Sequence, residues 1–149
     1  MASFKGHSLN SVDPKGRIAV PAKMRAALSP EAGGRFTMVD GVDGCLQLYP
    51  DDIWAQKEEE MSRLNEFRAD VRKAIRVLLF SAEDLELDKQ GRVTISRDRL
   101  EKFGIGDKAL VVGAFRHIEI WDEDRYADYM GDILDESELI QDVMGGGAE

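Results

Sequence analysis

A short group made of an aspartate, a glycine and an arginine occurs twice in this chain at one spacing. The first copy is Asp13, Gly16 and Arg17, and the second, 75 residues later, is Asp88, Gly91 and Arg92. An arginine ends in a planar fork of N–H donors that can pair with a carboxylate or make two bonds to the edge of a guanine base. The repeated group therefore predicts either structural ion pairs within turns or side chains that contact a nucleic acid.

Each copy of the group predicts a type I turn followed by a short strand. Asp13 takes the first turn position, where it can accept backbone N–H bonds, while Pro14 suits the second and Gly16 the fourth. Glycine there also permits a backbone shape that a Cβ disfavours. Alternation along the strand then places Ile18 on one face and Arg17 on the other. The second copy has the same turn order without the proline.

The same elements are predicted around both copies. A strand over 7–12 precedes the first turn, short helices cover 22–28 and 97–103, and strands cover 36–39, 45–49, 109–113 and 117–121. Connecting helices are predicted over 53–65 and 69–80, and one acidic helix over 123–143. Tyr49 matches Trp121 and Trp54 matches Tyr126, a recurrence that favours packing over base stacking.

The duplication divides the chain into four predicted segments. These are a first repeat over 7–54, a helical connector over 55–81, a second repeat over 82–126, and an acidic C-terminal helix and tail over 127–149. Each repeat is near the lower size limit for folding alone. We therefore expect the repeats to pack on each other as one compact unit.

Charge is distributed unevenly along the chain. The net charge is −9, yet residues 1–35 sum to +4 and residues 81–149 sum to −10. The basic region coincides with the first copy of the motif. Lys15 at the turn tip and Lys5, on a lead over residues 1–6 that we expect to be flexible, are suited to phosphate contacts, which position a protein on DNA without specifying sequence.

Other reactive residues are sparse. Cys45 is the single cysteine, so no internal disulfide can form and a reducing, cytoplasmic compartment is expected. His7 and His117 are well separated, so we predict neither a metal site nor a cofactor. No apolar run is long enough to span a bilayer. With no nucleophile or paired acid and base indicated, neither an enzyme nor a small-molecule substrate is expected.

The motif, the short helix and the following strands resemble the swapped-hairpin DNA-binding module of AbrB-type transcription factors. The duplication, the paired helices and the strings at 46–50 and 118–122 narrow this to a resemblance to the MraZ family of bacterial transcriptional regulators, over residues 4–126. The resemblance implies an α+β fold with a duplicated, β-barrel-like core of pseudo-twofold symmetry. It also implies a ring-like homo-oligomer, associated with the nucleoid, that binds promoter direct repeats in double-stranded DNA. Those repeats would lie upstream of the division and cell-wall gene cluster that includes its own gene.

The resemblance assigns DNA reading to Arg17 with Lys15 beside it, while Asp13 holds the turn and orients the arginine. For the second copy a purely structural turn with its Arg92 pair is favoured over DNA contact, because the local charge is negative and Ser96 replaces the proline. The basic face of the second connecting helix is either a solvated surface or a subunit contact, with DNA contact less favoured; it is formed by Arg68, Arg72, Lys73 and Arg76. The alternative function is an interaction module of the same fold, antitoxin-like or scaffolding, without DNA readout.

Overall fold

A computed structural model describes residues 2–131 and 136–147 of the chain, which form a six-stranded antiparallel sheet, a separate two-stranded ribbon and six helices in those ranges. The strands are β1 (His7–Ser11), β2 (Arg17–Ala19), β3 (Arg35–Asp40), β4 (Leu46–Pro50), β5 (Glu83–Glu86), β6 (Arg92–Thr94), β7 (Lys108–Ala114) and β8 (His117–Trp121). The helices are α1 (Ala22–Ala26), α2 (Asp51–Ser62), α3 (Ala69–Phe80), α4 (Arg97–Lys102), α5 (Glu123–Met130) and α6 (Glu136–Asp142). A 3₁₀ turn covers Pro30–Ala32 and a π-helical turn covers Val143–Gly147.

The two repeats exchange strands. The sheet order is β1-β7-β8-β4-β3-β5, so β1 of the first repeat pairs with the second repeat, and β5 of the second pairs with the first. The central strands pair around Gln47 opposite Glu119, and the ribbon pairs around Ile18 opposite Val93. Both centres join equivalent residues, so a pseudo-twofold axis passes through them. The duplicated, interleaved core implied by the resemblance is confirmed.

The ribbon covers one face of the sheet and closes the main core. Its inward side chains, Ile18 and Val93, are fully buried, as are Ile118 and Ile120 on the facing strand β8. Burying an aliphatic side chain of this size contributes about 1.5–3 kcal/mol. Because each repeat supplies residues to both layers, neither repeat encloses this core alone.

The recurring aromatic residues pack against the other face of the sheet. The ring centroids of Tyr49 and Trp54 are 5.7 Å apart, and those of Trp121 and Tyr126 are 5.2 Å apart. Tyr49, Trp54 and Trp121 are all buried. These pairs hold the starts of α2 and α5 against the sheet, which confirms the expectation of packing rather than base stacking.

A polar cluster lies on the same face at the pseudo-twofold axis. Glu119 accepts hydrogen bonds from His117 Nε2 at 2.9 Å and Trp121 Nε1 at 3.0 Å. Burial would raise the pKa of Glu119, but these donors outweigh it and hold the pKa below its ordinary value. Burial is also the main cause that raises the pKa of the neighbouring Cys45 thiol, which keeps the thiol protonated. Cys45 is a core residue, as its sequence context predicts.

The structure adds one detail to the predicted core and corrects the prediction for the N-terminus. The six-stranded sheet does not close into a full barrel, because its edge strands β1 and β5 do not pair with each other. The lead before β1 is not flexible from residue 2, since Phe4 is 2% exposed and forms two backbone hydrogen bonds with Phe115, at 2.8 and 3.1 Å. Ala2 is buried beside it. So short an apolar segment carries no periodic signal in the sequence.

The acidic C-terminal helix is also not continuous from 123 to 143. Helix α5 ends at Met130, before Gly131, and α6 begins at Glu136, while residues 132–135 lie outside the described residues. Glycine is a poor helix former because it loses the most backbone freedom on folding. The predicted single helix is therefore interrupted at Gly131.

A charged cluster fastens the first repeat to the second. Arg99 on α4 donates from Nε to Asp40 Oδ1 at 2.9 Å and from Nη2 to the carbonyl of Ser81 at 2.6 Å. Lys102 Nζ donates to the other oxygen of Asp40 at 2.7 Å. Only 16% of the Arg99 side chain is exposed, so these hydrogen bonds are partly shielded from water.

In urea unfolding, Arg99→Ala is expected to lower the free energy of unfolding by about 1.5–3 kcal/mol, the range for hydrogen bonds to charged groups.

Burial would raise the pKa of Asp40, but the Lys102 and Arg99 contacts outweigh it and hold that pKa below the ordinary value of 3.8. The carboxylate therefore contributes stability above pH 3.8, and that contribution is lost as pH falls through the lower folded pKa. Urea unfolding of wild type and Asp40→Asn at pH 7 and pH 3 checks this. An equal difference at both pH values would contradict it.

Candidate nucleic-acid interface

The first motif forms a turn closed by its own aspartate. Asp13 Oδ1 accepts the backbone N–H groups of Lys15 at 3.0 Å and Arg17 at 2.8 Å, and Oδ2 accepts Arg17 Nε. Gly16, with a φ of +81°, donates its N–H to the Asp13 carbonyl at 2.9 Å. One carboxylate thus fixes both the backbone of the turn and the direction of the arginine.

The second motif repeats the same contacts. Asp88 Oδ1 accepts the N–H groups of Gln90 at 2.8 Å and Arg92 at 2.9 Å, while Oδ2 accepts Arg92 Nε at 3.0 Å. Gly91 has a φ of +77°. The turn chemistry of the two copies is the same although one lacks the proline.

The antiparallel ribbon brings the two arginines onto one surface. Arg17 lies opposite Thr94, and Arg92 lies opposite Ala19. Arg92 Nη1 is 3.9 Å from Asp13 Oδ2, so the second arginine reaches the first turn. The exposed fractions of the two side chains are 34% and 28%. Both border a surface cleft of about 460 Å³.

Neighbouring side chains fix the position of this surface. Asn10 on β1 donates from Nδ2 to the carbonyl of Ala19 at 2.7 Å, which ties the ribbon to the edge of the sheet. Arg97 donates from Nη2 to the carbonyl of Asp13. Arg25 donates from Nε to the carbonyl of Val20 at 3.0 Å. The turns are therefore held from both repeats.

The ionic contact with Asp13 leaves N–H donors of Arg17 available for other partners. In the part of the chain that the structure describes, the hydrogen bond from Arg17 to its aspartate uses Nε, so the two terminal nitrogens remain for another acceptor. Those are the donors that a guanine edge requires. The backbone N–H of Arg17 is the largest cause holding the pKa of Asp13 below its ordinary value, and Arg92 has the same effect on the pKa of Asp88. Both turns are therefore closed by charged carboxylates at neutral pH.

The structure brings most of the predicted site residues together, but not Lys5. Lys15 is exposed at the first turn tip, beside Arg17. Lys5 borders a different depression, together with Lys23 of α1 and Ala27 directly after that helix.

Gln90 is not among the predicted site residues, and the closeness of Arg92 to the first turn is not predicted either. The signal for Gln90 was the constant spacing of the repeat, which places it at the second turn tip as the counterpart of Lys15. The closeness of Arg92 to the first turn had no local signal, because it depends on strand exchange.

Paired Asp–Arg turns on a ribbon between interleaved repeats define the class of duplicated AbrB-like proteins. A family model described as "MraZ protein, putative antitoxin-like" matches residues 4–77 and 78–142. The chain belongs to this MraZ family.

Curated relatives are similar in sequence over most of the chain. A protein of Syntrophomonas wolfei is 37% identical over 126 residues, 85% of each chain. One from Pelotomaculum thermopropionicum is 35% identical over 92% of each chain, and one from Moorella thermoacetica is 33% identical over 95% of this chain and 96% of its own. Each carries the name "Transcriptional regulator MraZ". Proteins of that kind are generally not enzymes.

Within residues 2–131 and 136–147, no group of three or more His, Cys, Asp or Glu side chains is placed so that it could hold a metal ion. Over those residues, too, no helix is long and apolar enough to cross a membrane.

Proposed function

We propose that the chain is a sequence-specific DNA-binding transcriptional regulator that acts as a ring-like homo-oligomer in the cytoplasm, on the nucleoid. Its target is a set of direct repeats upstream of the division and cell-wall gene cluster that includes its own gene. The observation that carries the proposal is the pair of aspartate-anchored arginines on one exposed ribbon. The names of the relatives support the regulatory role.

The ribbon has a suitable shape for the major groove of DNA. That groove admits a two-stranded β-ribbon, and a fork of two arginine N–H groups matches the acceptors of guanine there. The outer face of this ribbon carries Arg17, Ala19, Arg92 and Thr94. We assign base reading to Arg17 and Arg92, and methyl contacts with thymine to Ala19 and Thr94.

The local charge supports this assignment in an acidic protein. The two turns together present Lys15, Arg17, Lys89 and Arg92 against the two carboxylates of Asp13 and Asp88. We call the surface formed by the two turns of one subunit its DNA-binding head. Each head nevertheless has few cations, so a single subunit binds weakly. Several linked heads on successive repeats raise avidity by roughly 10² to 10⁴ without any new contact.

Lys15 and Gln90, at the tips of the two turns, are expected to make different kinds of contact with DNA. Lys15 is a point charge suited to phosphate, so Lys15→Ala should weaken binding to every sequence and reduce the salt slope by about 1 per head. Gln90 carries an amide that can read adenine, so Gln90→Ala should relax base preference at one position and leave the salt slope unchanged. Fluorescence anisotropy over salt and a panel of single-base variants measures both effects.

Gln56→Ala provides the matched control for the glutamine, because Gln56 is exposed on α2 away from the turns. It should change neither base preference nor salt slope. If Gln90→Ala behaves like this control, Gln90 is not a reading residue.

A second candidate function has one finding in its favour, since the family description itself reads "putative antitoxin-like". In that case the same surface binds a partner protein without direct DNA readout. Purification of the chain with a stoichiometric partner, together with no salt-dependent binding to its upstream DNA, would favour this function over regulation by DNA binding.

A further inference from the structure

Most of the exposed large apolar side chains in the described residues fall into two groups. The first group lies on the α2–α3 hairpin and the adjoining loop before β4: Val42, Leu64, Phe67, Val77, Leu79 and Phe80. The second lies near the C-terminus: Tyr129, Leu139, Ile140, Val143 and Met144. Contiguous exposed apolar surface marks interaction sites, whereas isolated exposed residues are ordinary.

Three members of the first group, Val42, Val77 and Phe80, line an apolar groove of about 740 Å³, which we call the α3 groove. The other residues that line it are Asp40, Ala74, Arg76, Leu78 and Ser81. The carboxylate of Asp40 is already paired with Arg99 and Lys102. Phe80 is 94% exposed and Val77 is 75% exposed. Helix α3 packs on the sheet only through half-buried residues, so it buries nothing completely. An apolar helix face left this open is suited to a partner.

The rim of the α3 groove is basic. Lys73 lies four residues before Val77, and Arg76 lies four residues before Phe80, so each cation is on the same side of the helix as that apolar residue. Within the described residues neither of these two cations has an ion pair, whereas Arg68 pairs with Asp70 at 2.6 Å. Two copies joined groove to groove would bring like charges together. The groove therefore favours a different, acidic surface.

The second group supplies such a surface. Leu139 and Val143 are four residues apart, as are Ile140 and Met144, so they lie on one side of α6 and its terminal turn. We call this set the C-terminal apolar face. Its neighbours Glu136 and Asp142 are acidic and exposed. In the single chain both this face and the α3 groove are exposed, so the chain's own α6 does not fill its groove.

We infer that the C-terminal apolar face of one copy binds the α3 groove of the next copy. The two surfaces have matching apolar character and opposite charge. Because they are different patches, each copy uses one surface on each side, and such a head-to-tail contact generates a ring when its rotation closes. This inference rests on the proposed oligomer and identifies the surfaces that build it.

Mixing two defective variants tests the interface. Phe80→Asp spoils the groove and leaves the C-terminal face intact, while Ile140→Asp/Val143→Asp does the reverse. Light scattering after gel filtration should give a large assembly for wild type and a monomer for each variant alone. An equimolar mixture should form a 1:1 heterodimer, since one intact interface remains. Phe115→Asp, a control at a 61% exposed site outside both groups, should assemble like wild type.

Four outcomes would overturn the inference: a mixture that stays monomeric, an Ile140→Asp/Val143→Asp variant that assembles normally, a Phe80→Asp variant that assembles normally, or a monomeric wild type. Far-UV circular dichroism confirms that each variant is folded. These measurements contain no DNA. Wild-type protein that assembles as described but ignores its upstream DNA would refute the proposed regulation and leave the interface standing.

Discussion

Replacing Arg17 with alanine is expected to abolish specific binding to the upstream DNA while fold and assembly survive. A bidentate contact to guanine is worth about 1–3 kcal/mol of discrimination. Because every 1.4 kcal/mol is a factor of about ten, each head loses roughly 5- to 150-fold, and the loss compounds across the engaged heads of an assembly. Fluorescence anisotropy with the specific duplex and with a scrambled one measures the change.

Two companion variants separate base reading from charge. Arg17→Lys keeps the positive charge and removes the planar fork, so it should retain non-specific binding and lose most of the specific affinity. Arg63→Ala removes an arginine that is 73% exposed directly after α2 and should leave binding unchanged. Specific affinity retained in Arg17→Ala would show that this arginine only closes its turn.

Gly16→Ala is expected to be the most damaging small substitution in the ribbon. A Cβ at Gly16 would lie 2.0 Å from the carbonyl oxygen of Ile95, a backbone atom of the other repeat. The backbone cannot easily withdraw, because the N–H of Ile95 donates to the Gly16 carbonyl at 2.9 Å. The φ of +81° adds the strain of a left-handed conformation. We expect a loss of about 4 kcal/mol or more in the free energy of unfolding, or failure to fold.

Alanine substitutions at two other glycines separate the conformational cost from the cost of the steric clash. Gly6 has a φ of +78° with no atom within 4 Å of the added Cβ, so Gly6→Ala carries only the conformational cost of about 1–2 kcal/mol. At Gly91 the nearest atom, 2.6 Å away, belongs to the flexible side chain of Arg25, so Gly91→Ala should fall between the two. Urea denaturation ranks the three. Equal losses at Gly6 and Gly16 would refute the proposed collision.

The turns could be predicted from sequence because their chemistry is local. Asp13 and Arg17 are four residues apart, and every group that closes the turn lies within that span. The helix over 69–80 was predicted to the residue, because its apolar side chains recur at a helical period over its whole length. Such elements need no information from distant parts of the chain.

The strand exchange could not be predicted from residue patterns alone. Leu9 on β1 lies opposite Leu110 on β7, and an alternating strand pattern does not say which distant strand it will join. Strand β5 was not predicted, although the repeat spacing from β1 pointed to it. The same exchange sets the surroundings of the second turn, for which the sequence alone favours a structural role. Its own neighbours are acidic, but in the fold Arg92 lies beside Asp13 and shares a surface with Arg17.

One titration tests the central claim most directly. Wild-type protein is titrated against the DNA upstream of its own gene, with one, two or more of its repeats intact, over a range of salt concentrations. We predict affinity that rises steeply with repeat number, and a salt slope that grows by about 0.9 for each phosphate contact added. Equal affinity for that DNA and a scrambled duplex, at every repeat number, would contradict the claim that the paired turns read DNA.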